Sequence, residues 1–169
     1  MATRIRAATS DDLDAWLALR QALWSGEISA HRAEVETFFH DGVIAGLTHG
    51  VFLAECDAAT EAARLIGFAE CSLRTVEPNQ PAGSAAHLEG WFVQPDCRRQ
   101  GIGRGLIEAV LAWARQHGCT RLTSDTTTSY AAHSLPAHRA CGFERNEFVA
   151  GHVGPAEDGM ETIGFWRVV

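Results

Sequence analysis

The stretch CRRQGIGRG at 97–105 places three arginines and three glycines within nine residues, just after the apolar run HLEGWFVQP. These residue types suit one kind of chemistry. Consecutive main-chain N–H groups at a helix start converge on an anion, glycines let a diphosphate approach, and the helix dipole favours its negative charge. Three devices of this kind compete. A Walker loop ends in Gly-Lys-Ser/Thr, which is absent here. A dinucleotide fingerprint needs its third glycine where Leu106 stands and belongs to a parallel βαβ unit with an acidic residue about 20 positions on. The third device is a strand, a turn with Pro, then Arg/Gln-x-x-Gly-x-Gly/Ala and a long amphipathic helix. Val93, Pro95, and then Arg98, Arg99, Gln100, Gly101, Ile102 and Gly103 satisfy it. The plainer alternative is a glycine-rich turn with solvated arginines; a strand before it and a helix after it favour the binding device.

The elements that must position this turn are legible in outline. ATRIRAA (2–8) alternates as a strand does, and Thr9 with Asp12 has the pattern of a capping box. Leu13, Trp16, Leu17, Leu23 and Trp24 follow at helical spacing, and a second helix is predicted from about Ala30 to His40, before a glycine-punctuated loop. VFLAEC (51–56) and RLIGFAECSLR (64–74) read as a hairpin joined by 57–63, VEPNQPAGSAA (76–86) as a loop, and HLEGWFV (87–93) as a third long strand. From Gly103 to His117 the residues Leu106, Ile107, Val110, Leu111 and Ala114 recur at helical spacing, with Gly118 as the stop. RLTSDT (121–126) reads as a strand, and 129–141 as a helix that Pro136 either kinks or delays. FERNEFVAGHV (143–153) and METIGFWRVV (160–169) close the chain as an antiparallel pair whose apolar edges suit pairing between subunits. The order β–α–α–β–β–β–α–β–α–β–β predicts a single domain over 1–169, of α/β (α+β) class, with helices on a mixed sheet.

Composition narrows the function. The chain has 169 residues, 46% apolar and 21% charged, the balance of a soluble globular protein. No apolar run approaches the roughly 18 residues of a membrane span, and MATRIRAATSDD has no secretory signal, so no membrane partner and a cytoplasmic location are expected. Five scattered cysteines, without a Cys-x-x-Cys pair, read as thiols, and eight histidines without zinc spacing predict no metal. A net charge of −7 argues against nucleic acid and favours a cationic guest.

In its glycine turn and element order the chain resembles the GNAT superfamily of N-acetyltransferases over almost its whole length. Within that superfamily it is similar to the aminoglycoside 6′-N-acetyltransferases, in WLALRQALW (16–24), HLEGWFVQPDCRRQGIGRGLI (87–107), TSDT (123–126) and AHRACGFERNE (137–147). The resemblance implies the GNAT fold, a mixed and mostly antiparallel central sheet flanked by helices, with acetyl-CoA as co-substrate and a homodimer as the assembly. It implies that Trp91, Phe92 and Val93 lend main-chain groups to the acetyl and pantetheine portions, and that Arg98, Arg99, Gln100, Gly101, Ile102, Gly103 and Arg104 surround the diphosphate. It implies substrate contacts at Trp24, Glu89, Asp125 and Glu147. Alternation places Glu89 on the same strand face as Trp91 and Val93. Each residue also has a plainer reading: Glu89 as the partner of an arginine, Asp125 as a helix cap, Glu147 as a surface charge, Trp24 as core.

Amide formation needs a polarised thioester carbonyl, a neutral amine and a proton for the departing thiolate. Carboxylates near the ammonium raise its pKa, so one of them must also accept the proton; Asp125 and Glu89 are the candidates. No covalent intermediate is needed. The superfamily's usual Tyr is replaced by His138 in AHRACGF, a candidate acid or equally a coenzyme contact or a helix residue bonded to a carbonyl. The family's coenzyme-binding Asn is Ala131, and Ser134 is the nearest polar replacement. Acetylation of another amine, and a non-catalytic acyl-CoA-binding module, remain open at this point.

Overall fold

The computed structural model describes residues 3–24, 26–56, 64–74, 85–146 and 162–169. Alternation in TRIRA gives β1 (Thr3–Ala7). Thr9 and Asp12 then close the predicted capping box, with the Thr9 main-chain N–H donating to Asp12 Oδ2 at 2.8 Å. From β1, Arg6 grips both oxygens of that carboxylate at 2.7 Å and donates through Nε to Glu55 at 2.7 Å. The Arg6 hydrogen bonds hold the Asp12 carboxyl down at a pKa of about 2. This clamp fixes the entry into α1 (Leu13–Leu23), which stops at Trp24.

The second helix, α2 (Ile28–Asp41), ends on Gly42 at φ 70°, a left-handed cap. Beyond Gly42 the chain forms a hairpin, not the predicted loop. β2 (Val43–Ile44) turns back through Ala45 and Gly46, both at positive φ (50° and 79°), into β3 (Leu47–Cys56). That is the two-residue turn with both central residues left-handed, and Ala-Gly announces it less clearly than Asn-Gly does. The remaining elements are β4 (Arg64–Arg74), β5 (Ala85–Val93), α3 (Ile102–Gln116), β6 (Arg121–Thr127), α4 (Ala131–Ala140), β7 (Glu144–Asn146) and β8 (Thr162–Val168). Pro136 stands inside α4, which starts late, after a turn of 3-10 helix at 128–130. Pro136 and Ala132 are both exposed, so the carbonyl that proline leaves without a donor faces solvent.

The strands form one sheet in the order β1-β3-β4-β5-β6-β8-β7, with β2 beside β3; among the described residues only β5 and β6 run parallel. The sheet is therefore mixed and mostly antiparallel, as the resemblance implies. The closing pair forms, but β8 lies between β6 and β7 and is paired on both sides. The expectation that METIGFWRVV offers a free edge is corrected: β8 is paired along 162–168 with β6 and along 164–166 with β7. Residues 147–153 and 160–161 of that predicted pair, and the predicted loops 57–63 and 76–84, lie outside the described residues.

Each sheet face is covered. On one, α3 buries Ile102, Leu106, Ile107, Val110, Leu111 and Ala114 against Ala69, Leu88 and Leu122. On the other, Trp16, Leu19 and Val35 from α1 and α2 pack on Val51, Leu53 and Phe68. At roughly 25 cal/mol per Å² of apolar surface, such stripes supply most of the stabilisation of these three helices.

Candidate active site

The site is built on an irregularity in β5. Gly90 pairs with Glu70 and Leu88 with Cys71, so Glu89 is one residue too many on its strand, a β-bulge. The extra residue reverses the alternation. Ala86 and Leu88 before it, and Trp91 and Val93 after it, all pack in the α3-side core. Glu89 itself turns to the opposite face, where it accepts from Arg74 Nη2 at 2.6 Å and Nε at 2.9 Å and from the Ser72 hydroxyl. The expectation that Glu89 shares a face with Trp91 and Val93 is thus corrected.

Beyond the bulge the sheet opens. β5 and β6 pair only over Ala85↔Arg121 to Leu88↔Ser124, and residues 89–93 have no ladder partner on β6. The main-chain groups of Trp91 to Val93 on that side face a gap between two parallel strands.

The gap leads to the glycine turn. Pro95–Cys97 forms a turn of 3-10 helix. Arg98 folds back, its Nε donating to Val93 O at 2.9 Å and its guanidinium lying 5.9 Å from the Phe92 ring centre. Arg99 (φ 63°) and Gly101 (φ 83°) are both left-handed, which turns successive N–H groups to one side before α3 begins at Ile102. No side chain among the described residues caps this helix start. Gln100 Nε2 is 3.5 Å from Asp96 O, and Arg104 Nη2 donates to Ala140 O at 3.0 Å, tying α3 to the end of α4. A Cβ on Gly103 would lie 3.0 Å from Trp91, and the buried Trp91 Nε1 has no hydrogen-bond partner among the described residues. An uncapped helix start, left-handed backbone and an orphaned indole N–H fit a diphosphate-bearing coenzyme.

On the α1–α2 side, a cleft of about 410 Å³ brings together Trp24, His31, Glu70, Arg74 and Glu89. Trp24 and His31 stack with ring centres 6.2 Å apart. Glu70, fully buried, accepts from Trp16 Nε1 at 2.8 Å and lies 3.1 Å from Arg20 Nε, off the hydrogen-bond direction. Burial pushes its carboxyl up to about 7, against the attraction of Arg20. Arg20 also donates to Glu34 at 2.5 Å. Asp125 stands outside this lining, on β6 just past the last β5–β6 pair, with its Oδ1 3.8 Å from His87 Nε2. The neighbouring His87, above all, keeps the Asp125 carboxyl below the usual carboxylate range. Glu147 lies outside the described residues.

His138 is buried (4% exposed), stacked on Phe165 at 4.1 Å and edge-on to Trp91 at 5.5 Å. Its Nδ1 meets the Ser134 carbonyl at 2.9 Å and Ser134 Oγ at 3.0 Å; a carbonyl only accepts, so Nδ1 carries the hydrogen. Nε2 then accepts from Ser124 Oγ at 2.9 Å, and burial lowers the ring's pKa, so His138 is neutral at pH 7.

Sequence reasoning missed His87, Glu70, Arg20, Arg74 and His31. All five come from strand or helix positions that read as core or surface, with no spacing to mark them. A buried Glu or Arg inside an apolar run, as in IGFAEC, is the one signal that was available.

The acetyltransferase (GNAT) family description matches residues 13–143, and the chain belongs to that family. Among its relatives, the aminoglycoside N(6′)-acetyltransferase type 1 of Stenotrophomonas maltophilia is 40% identical over 158 residues, covering 92% of this chain and 95% of the relative. That of Klebsiella aerogenes is 37% identical over 140 residues, 82% of this chain and 88% of the relative. A solved structure of AAC(6′)-Iy with the bisubstrate analog CoA-S-monomethyl-acetylneamine superposes with a TM-score of 0.75 at 30% identity, over 92% of this chain and 99% of that one.

Proposed function

We propose that this acetyltransferase moves the acetyl group of acetyl-CoA to the 6′-amino group of an aminoglycoside by direct attack, with both substrates bound at once. The observation that carries the reading is the opened β5. On one side it leads to the uncapped start of α3, and on the other to a cleft holding carboxylates. In this reading Trp91, Phe92 and Val93 present main-chain groups to the acetyl and pantetheine arm. The turn from Arg98 through Arg99, Gln100, Gly101, Ile102 and Gly103 to Arg104 holds the diphosphate, and Ser134 lines the coenzyme's far wall. Trp24 supports the sugar rings, and Glu89, Asp125 and Glu147 receive ammonium groups.

Attack requires the ammonium to lose a proton to an acceptor beside it, and Asp125 and Glu89 are the carboxylates that can hold the ammonium for that step. Arg74 occupies Glu89 through two hydrogen bonds, which leaves Asp125 the more available of the two. His138 can return a proton to the thiolate only after taking one up at Nε2, so delivery through it runs by way of Ser124 Oγ. The relatives' names support the antibiotic substrate. The resemblance also supports a homodimer working in the cytoplasm.

The test is to incubate purified protein with acetyl-CoA and a panel of aminoglycosides, detecting free thiol. Thiol release with kanamycin or tobramycin is expected. Release only with a polyamine, amino acid or peptide N-terminus would replace the substrate, and coenzyme binding without turnover of any amine would make the protein a binding module.

A further inference from the structure

Resting on the acetyl-transfer reading, we propose that His87 takes the proton that the substrate's ammonium must lose, while Asp125 holds the ammonium against it. His87 lies on β5 opposite Thr123 of β6, one pair before the strands part. Its Nδ1 is 2.9 Å from Thr123 Oγ1, and that hydroxyl donates to Ala86 O at 3.3 Å. A hydroxyl has one proton. With it committed to the Ala86 carbonyl, Thr123 can only accept from His87, so Nδ1 carries the hydrogen and Nε2 the lone pair.

That lone pair faces Asp125 Oδ1 across 3.8 Å, too far for a direct hydrogen bond and with an acceptor on each side. A donor placed between them satisfies both, and a primary ammonium brings three N–H bonds. The Asp125 side chain is 37% exposed and that of His87 6%, so an ammonium arriving from solvent meets the carboxylate first and the imidazole behind it. By ordinary side-chain chemistry an imidazole is a stronger base than a carboxylate, so the carboxylate holds the ammonium and the imidazole takes its proton. Among the described residues, the other charged or titratable groups acting on Asp125 are Arg74 of β4, which is bound by Glu89 of β5, and His138 of α4. Ser72 of β4 pairs opposite His87, while β8 sets uncharged Gly164 and Trp166 opposite Asp125 and Thr123.

In the step, one ammonium N–H bond breaks and an Nε2–H bond forms, the electron pair staying on nitrogen. That pair attacks the thioester carbonyl carbon, the C–S bond breaks, and the coenzyme leaves as thiolate. The second proton, shed as the nitrogen becomes an amide, balances the one the thiolate takes up. His87 releases its own proton to solvent, one per turnover.

The experiment compares the full chain with its His87→Gln variant, following rate against pH with acetyl-CoA and tobramycin. Glutamine can still donate to Thr123 but cannot take up a proton. kcat is expected to fall about 100-fold or more, with the KM for acetyl-CoA held within about twofold and the acid limb of the wild-type profile gone. A wild-type kcat, or a loss of rate with an unchanged pH profile, overturns the proposal. A second measurement covers a variant that does not fold. Nitrogen-15 NMR of histidine-labelled wild-type protein at mildly alkaline pH is expected to show His87 with hydrogen on Nδ1 and a bare Nε2; the opposite tautomer overturns the proposal. If acetyl-CoA binds yet no aminoglycoside turns over, the substrate reading has failed, and the tautomer still decides His87.

Discussion

Glu70 shows what a single side chain commits this fold to. It is fully buried beneath the cleft, with the Trp16 indole and the Arg20 guanidinium turned toward it. Replacing it by leucine leaves the buried Trp16 N–H without its acceptor and Arg20 with Glu34 as its remaining anion, so Glu70→Leu should cost about 1–3 kcal/mol in thermal or urea unfolding. Its pH signature has a definite sign. The folded pKa of about 7 lies above the ordinary 4.5, so the stability Glu70 contributes is full below about 4.5 and is lost as pH rises through 7. Glu70→Gln should flatten the fall of Tm across that window; a slope equal to wild type would show that the carboxyl does not titrate there. At the reacting end, Asp125→Asn should lower kcat by about 100-fold while leaving acetyl-CoA affinity unchanged, as rates and calorimetry together would report. Residues of this kind were only partly legible. Glu89 and Asp125 were readable as candidates through likeness to a family, whereas His87 carries no motif and acquires a neighbour only when β6 is laid beside β5.

Among the elements, α3 was the easiest to read, because one apolar stripe at helical spacing follows a glycine turn and little else fits that pattern. The bulge in β5 was not readable. Alternation counts residues and cannot show that one of them is skipped by the ladder, so the face assigned to Glu89 came out reversed. The β2–β3 hairpin was missed because β2 has two residues and its turn uses Ala45 at φ 50°, where asparagine or glycine is usual. Ala45→Asn should therefore raise stability by about 0.5–1 kcal/mol, seen as a higher Tm. At the other turn, Gly103→Val drives a branched side chain toward Trp91, whose ring already lies 3.0 Å from a bare Cβ. Acetyl-CoA affinity should fall at least about tenfold, with the circular dichroism spectrum preserved.

For the whole molecule, acid unfolding and charge are the properties to argue from. The Arg6 clamp lowers Asp12 to about 2, and Asp125 is lowered as well. Both contribute stability that is present above the ordinary carboxylate pKa of about 4 and is lost as pH falls below it, for Asp12 through about 2. Asp12→Asn should remove part of that acid dependence in a Tm-against-pH series. The net charge of −7 draws a polycation toward the cleft, so the KM for an aminoglycoside should rise with added salt, while that for acetyl-CoA should not rise in step. The proposed function depends on a coenzyme seat at the opened β5. Calorimetric titration of the folded protein with acetyl-CoA examines that seat most directly: saturable heat with one site per chain is the predicted result, and no heat of association from a protein with intact secondary structure would contradict it.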